Sequence, residues 1–362
     1  MPNYRFFLVF LFAFFSSYLR AQCPVAPIAF NTQAELDAFA VDYPSCTFLP
    51  DGVDVEISGD DIVDLSVLSQ LTGSFGAFEI RDCPNLTTLA GMENFTTIGN
   101  DALDGFILRD LDALSSVSAL SNLETIVGEF TIRTCGSLED LEGFEGLTSV
   151  EGSVIVRDNA ILTSLLGFDN LTYIGETLEL VENPLLTDIS ALANVETIVG
   201  GPEGGVFIED NASLSSLEGL GTGDTSIGGN LDLLFNGSLS LCAVPSICNY
   251  LASPPEGAVI TIDTNVEGCN TLEEIEDACA TLSIVSVSAS RASLRLVQNP
   301  VNEHLLLKST LVQGVTVYDI YGNKVLQFQL KEGTNSLYVN PLKSGLYFLQ
   351  TDTKQVVKWV KT

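Results

Sequence analysis

The sequence predicts an all-β protein, a right-handed β-solenoid with capped ends followed by a small C-terminal β-sandwich. Three observations carry that expectation. The chain repeats itself between Phe78 and Asn236, the apolar residues of each repeat fall two or three apart, and charge changes abruptly near residue 285. A spacing of two or three suits strands and tight bends and not the 3.6 of an α-helix.

The repeat is read from one column. Aligning FEIRDC, FILRDL, FTIRTC, VIVRDN, LELVEN, VFIEDN and LDLLFN brings Cys83, Leu111, Cys135, Asn159, Asn183, Asn211 and Asn236 together, at steps of 28, 24, 24, 24, 28 and 25 residues. A unit of that length cannot bury its own apolar face and must stack on its neighbours. Five and three residues before the column each repeat is apolar, from Phe78 and Ile80 to Leu231 and Leu233, and this alternation predicts a short strand. Beyond the column apolar residues recur every third position, as in Leu162, Leu165, Phe168, Leu171 and Ile174, which predicts 3₁₀ turns and extended bends. Glycines seven residues before the column, among them Gly76, Gly128 and Gly229, mark a corner. The column asparagines predict a buried ladder, each amide satisfying backbone that the turn leaves unpaired.

The other elements follow in order. Arg5, the apolar run Phe6 to Phe15, and then Ser16, Ser17 and Ala21 predict a secretory signal peptide over residues 1–21, too short for a membrane span. Residues 22–50 are expected to form an N-terminal cap and 51–282 the solenoid with a cysteine-rich C-terminal cap, followed by a linker over 283–294 and a second domain over 295–362. Export permits disulfides. Cys23 and Cys46 bracket the first cap, while Cys242, Cys248, Cys269 and Cys279 lie where the repeat decays, with their connectivity open. Cys83 and Cys135 stand two rungs apart, roughly 9.6 Å, which is beyond disulfide reach, so both are expected to be free and buried.

Residues 22–284 hold 43 Asp and Glu against four Arg and no Lys, whereas residues 285–362 hold nine Lys and Arg against four acids. This asymmetry argues for two domains and against a nucleic-acid partner, which such a charge would repel. No later segment has the ~18 to 20 uninterrupted apolar residues of a transmembrane helix. Asp51, Asp54, Asp60, Asp61 and Asp64 do not follow calcium-loop spacing, so neither a metal nor a cofactor is expected. The single histidine, His304, lies in the C-terminal domain, which removes a catalytic triad or a histidine metal site from the repeats. A non-catalytic binding protein is therefore the first expectation, a structural surface or matrix protein the second, and a polysaccharide hydrolase using paired carboxylates the third.

The candidate binding surface rests on the arginines. Arg81, Arg109, Arg133 and Arg157 all stand two residues before the column, on the strand side that points away from the core. Two readings are open: an anionic ligand, either an acidic glycan or an acidic protein segment, or a charge ladder pairing locally with Glu79, Asp82, Asp110 and Asp158. Ile107, Ile155, Val181 and Phe207 are expected outward beside them, giving a mixed apolar and cationic strip.

The run Arg-Asp-Cys-x-x-Leu-x-x-Leu-x-Gly-Met/Phe-x-x-Leu/Phe-x-x-Ile at Arg81–Ile98, nearly repeated at Arg133–Val150, resembles the leucine-rich L domain of receptor ectodomains and their bacterial relatives, over roughly residues 50–282. The resemblance implies the fold; in receptors such domains bind protein ligands, but with no kinase, transmembrane span or furin-like cysteine-rich module in view the receptor role is not carried over to this chain. Residues 295–362 read as alternating strands separated by turn signals such as Tyr321-Gly322-Asn323, a small sandwich. They resemble the type A C-terminal sorting domain of type IX secretion through Gln298-Asn299-Pro300-Val301, Val317 to Val325 with Tyr318, Asp319, Gly322 and Lys324, Leu342 to Phe348 with Ser344, Gly345 and Tyr347, and a basic end with Lys358 and Lys361. That resemblance implies the type IX machinery as a partner, a secreted or surface-attached product, and attachment to surface lipopolysaccharide or release after processing.

Overall fold

The computed structural model describes residues 22–102, 104–221, 225–285, 294–296, 301–309, 312–319, 322–352 and 356–361. The expected signal peptide lies outside them. The chain divides into two compact units with the boundary between Leu282 and Ser283.

The first unit is mostly β. Its long sheet has ten parallel strands in chain order, from Ile28–Phe30 and Val55–Ser58 to Asn230–Leu234 and Ile260–Asp263, and a second parallel sheet has seven strands of two residues, from Gly73–Ser74 to Ser226–Ile227. Each repeat supplies one strand to each sheet, and equivalent residues pair, as in Phe78 with Phe106 and Arg81 with Arg109. Alternation therefore sorts every long-sheet strand into an inward and an outward row. Inward, Phe78, Phe106 and Phe130 form a file with ring centroids 6.4 and 5.8 Å apart, and Phe130 also meets Phe144 at 4.9 Å and Phe168 at 6.0 Å. Short 3₁₀ turns occupy Ser66–Gln70, Ser118–Leu120 and Ser190–Asn194, in the segments of period three. Corners bring rungs close: Gly128 has φ +107°, and a Cβ there would stand 1.4 Å from the Asp104 carbonyl oxygen.

The asparagine column forms a continuous buried ladder. The backbone N and Nδ2 of Asn159 donate to Asn183 Oδ1 at 3.2 and 3.1 Å, those of Asn183 to Asn211 Oδ1 at 3.1 and 3.3 Å, and those of Asn211 to Asn236 Oδ1 at 3.0 and 3.4 Å. Each Nδ2 also reaches back to a carbonyl of the preceding rung, Ile132, Val156, Leu180 or Ile208, at 2.7 to 3.1 Å. Asn265, beyond the aligned repeats, continues the ladder by accepting from Asn236 at 3.0 and 3.2 Å. The residue just before the column turns the chain through left-handed backbone in every rung from Asp82 to Thr264, with φ between 51° and 58°. Asp and Asn tolerate that conformation best among residues with a side chain, which explains the recurrent Asp82, Asp110, Asp158 and Asp210. An outer row not foreseen in the sequence, Asn94, Asn122, Asn170 and Asn194, donates Nδ2 to carbonyls one rung back at 2.6 to 2.8 Å.

The all-β expectation is too narrow at the ends. Helices α1 (Gln33–Asp42), α2 (Pro245–Ala252) and α3 (Leu272–Val285) cap the repeats, and α3 runs into the first residues of the expected linker. A stack of sheets leaves apolar side chains and unpaired backbone at each end, and a helix covers both while satisfying its own backbone. Leu36 and Phe39 of α1 and Ile275 of α3 join the core. The signals were Thr32-x-x-Glu35 and Thr271-x-x-Glu274, whose threonine hydroxyls accept from the glutamate N–H at 3.2 Å in both cases. Disulfides Cys23–Cys46, Cys242–Cys269 and Cys248–Cys279 staple these caps, with Cα separations of 4.7, 5.6 and 5.4 Å. Cys83 and Cys135 are free and buried, and burial pushes their thiols up to about 11 and about 12, so both stay protonated and unreactive near neutrality.

The second unit has two antiparallel sheets around one small core. Leu294–Leu296, His304–Ser309 and Gly333–Tyr338 make the first, and Lys324–Leu330, Gln313–Asp319, Gly345–Thr351 and Val356–Lys361 the second. Leu305, Leu337, Val317, Leu349 and Trp359 from both sheets pack together.

Candidate functional site

The outward row of the long sheet is the most regular exposed surface of the first unit. Three columns run along it. Four residues before the ladder column stand Glu56, Glu79, Ile107, Thr131, Ile155, Glu179, Phe207 and Asp232, and two before it stand Ser58, Arg81, Arg109, Arg133, Arg157, Val181, Glu209 and Leu234. The third column is the left-handed position itself, Asp82 to Phe235.

Every arginine of this face has carboxylate partners. Arg81 pairs with Glu56 and Asp82 and lies 3.7 Å from Glu79; Arg109 pairs with Glu79 at 2.7 Å and Asp110 at 3.4 Å. Arg133 meets Asp158 at 3.1 Å, and Arg157 meets Asp158, Glu179 and Glu182 at 3.4, 3.3 and 3.2 Å. The four acids named from the sequence all take part; Glu56, Glu179 and Glu182 were missed. Their signal was present, since Glu56 and Glu179 share the register of Glu79 and Glu182 that of Asp82 and Asp158. Bridges across rungs neutralise the guanidinium groups that would otherwise repel one another at ~4.8 Å strand spacing.

Ile107, Ile155 and Phe207 lie half-buried on the same side. Val181 departs from expectation: it occupies the outward column between Arg157 and Glu209 in register but is only 6% exposed, so it offers no apolar surface. Farther along, Glu209, Asp210, Asp232 and Asp263 have no cation at ion-pair distance among the described residues. Burial, followed by the carboxylates of Asp232, Glu179 and Asp210, holds Glu209 above the usual carboxylate range. No group of three or more His, Cys, Asp or Glu that could hold a metal ion occurs among the described residues.

In the second unit the sorting-motif residues build a turn and a core. Asp319 accepts from Asn323 N and Nδ2 at 2.9 and 3.0 Å, Gly322 supplies φ +79°, and Lys324 opens the returning strand. Tyr347 stacks on buried Trp359 with centroids 5.2 Å apart and donates its hydroxyl to the Lys343 carbonyl at 2.9 Å, just before Ser344 and Gly345. Lys358 is exposed, whereas Lys361 is buried and bridges Val301. Asn299 and Pro300 lie outside the described residues. Residues 299–362 match the model of the secretion system C-terminal sorting domain. The sorting domain directs the chain to type IX secretion, so that machinery is a partner and the product is secreted or displayed at the cell surface. Among the described residues no helix is long and apolar enough to cross a membrane. No curated protein and no solved structure matches the chain.

Proposed function

We propose that the chain is an exported, non-catalytic binding protein of the adhesin kind. In this reading residues 51–282 form a right-handed leucine-rich solenoid like the receptor L domain, the outer face of the long sheet meets the ligand, and the sorting domain delivers it to the surface for attachment to lipopolysaccharide or release. The observation that carries the reading is the open outward face: ten strands in register with apolar side chains, Ile107, Ile155 and Phe207, set among ordered charges. Such a face offers area and regular spacing without an enclosing pocket, which suits recognition of an extended partner. The arginine column acts as a register-holding charge ladder, because its guanidinium groups are already engaged by carboxylates.

The test uses the full chain against a glycan array, immobilised matrix proteins and a polysaccharide panel. Saturable binding to one class is expected, weakened at least tenfold (about 1.4 kcal/mol) by Ile107→Glu with Ile155→Glu and unchanged by Leu185→Glu, which is exposed outside the face. Turnover of a polysaccharide, or binding equally insensitive to both changes, contradicts the reading.

A further inference from the structure

The outer face of the long sheet is not uniform along its length. From Arg81 to Arg157 each rung carries a cation held by neighbouring carboxylates. From Glu179 onward the cations stop and the acids continue. In the column of Glu179 the next rungs bear Phe207 and Asp232; in the column of Val181 they bear Glu209, Leu234 and Asp263; and at the left-handed position Glu182 and Asp210 give way to Phe235. Acidic and apolar side chains thus alternate from rung to rung in neighbouring columns.

Two further features set this half apart from the generally acidic surface. Phe235 is 51% exposed with φ +58°, a conformation disfavoured for a bulky residue, at a position that the preceding rungs fill with Asp, Glu or Thr. An aromatic ring held outward at a conformational cost, with half its surface in water, lacks the packing return that would explain it in the free protein. Asp232 Oδ1 is shielded from solvent and has no hydrogen-bond donor, although it lies beside the crowded carboxylate of Glu209. A cation docking beside this cluster relieves repulsion among the acids, and aromatic rings such as the exposed Phe235 attract ammonium and guanidinium groups.

We propose that this C-terminal half of the face, centred on Phe207, Glu209, Asp232, Leu234 and Phe235, docks a basic protein segment in which lysine or arginine is interspersed with apolar residues. The proposal rests on the strand face being the recognition surface and adds the partner's chemistry: charge complementarity selects a cationic segment, and the apolar rows require side chains that oligolysine lacks.

The test measures binding of a fluorescent decamer alternating lysine and leucine to the full chain at physiological ionic strength, with decalysine and a glutamate–leucine decamer as comparisons. Saturable binding of the lysine–leucine decamer is expected. Glu209→Lys with Asp232→Lys should weaken it at least tenfold, and Glu139→Lys with Glu196→Lys, exposed positions outside the face that change net charge equally, less than twofold. Phe235→Ala should weaken the lysine–leucine decamer at least threefold and leave decalysine unchanged. If the first reversal unfolds the chain, Glu209→Gln with Asp263→Asn replaces it, with at least a threefold loss expected. Equal losses from both reversal pairs, or binding indifferent to Phe235, would overturn the proposal by reducing it to attraction toward net charge. Failure with the decamer while a glycan or matrix ligand still depends on Ile107 and Ile155 rejects the basic partner and leaves the binding reading in place.

Discussion

Replacing Asn183 by alanine is expected to lower the stability of the first unit by about 3–6 kcal/mol, measured by urea denaturation of the full chain. Asn183 Oδ1 is the acceptor for Asn159 N and Nδ2, and its Nδ2 serves the Val156 and Val181 carbonyls at 2.8 and 3.1 Å. Alanine leaves two to three of these groups buried without a partner, each at a cost of about 1–3 kcal/mol. The same column holds Leu111, but there the backbone is served differently, with Leu111 N donating to the Thr134 carbonyl at 3.2 Å. Asn194→Ala, in the exposed outer row, should cost less than about 1.5 kcal/mol because water replaces the lost amide. Equal effects at the two positions would show that the buried ladder is not what joins the rungs.

Phe130→Ala is expected to cost about 3–5 kcal/mol, the range for emptying a fully buried aromatic site. Phe130 lies at the centre of the ring file, in contact with Phe106, Phe144 and Phe168. Collapse around the void is limited because the strand that carries Phe130, Glu129–Arg133, is fixed in register between Gly105–Arg109 and Val154–Arg157. Phe235→Ala, removing a ring of similar size from the outward face, should stay within about 0.5 kcal/mol of the parent. A loss at Phe235 as large as that at Phe130 would assign Phe235 to packing and remove the strongest reason for a docking role.

Much of the repeat was legible because its physics is local and recurs. Alternation at Phe78 and Ile80 shows which side faces inward whatever the partner strand, and stacking multiplies that signal along the chain. The asparagine column was legible for the same reason. The caps were legible from their cysteines, but their helices were not: α1, α2 and α3 each occur once, and a single capping box such as Thr32-x-x-Glu35 or Thr271-x-x-Glu274 gains nothing from repetition. The arginine column was visible as a pattern, but its outcome depended on neighbours one rung away, such as Glu56 and Glu179, which are distant in sequence. Val181 shows the limit of alternation, which assigns a side to a residue but not the cover given by what flanks it. In the second unit the turn between Asp319 and Lys324 was read from Gly322 and Asn323, whereas the strand Leu294–Leu296 was missed because so short a run has little pattern.

The most direct test of export that presents the long-sheet face is labelling of Arg133→Cys in the native host with a membrane-impermeant maleimide. The Arg133 side chain is 52% exposed on that face, and Cys83 and Cys135 are buried and protonated, so only the new thiol should react. Labelled protein is expected on intact cells or in the medium, and deletion of residues 299–362 should leave the chain unlabelled until the outer membrane is opened. Labelling that survives the deletion, or a full-length chain that reacts only after the cells are broken, would contradict the account.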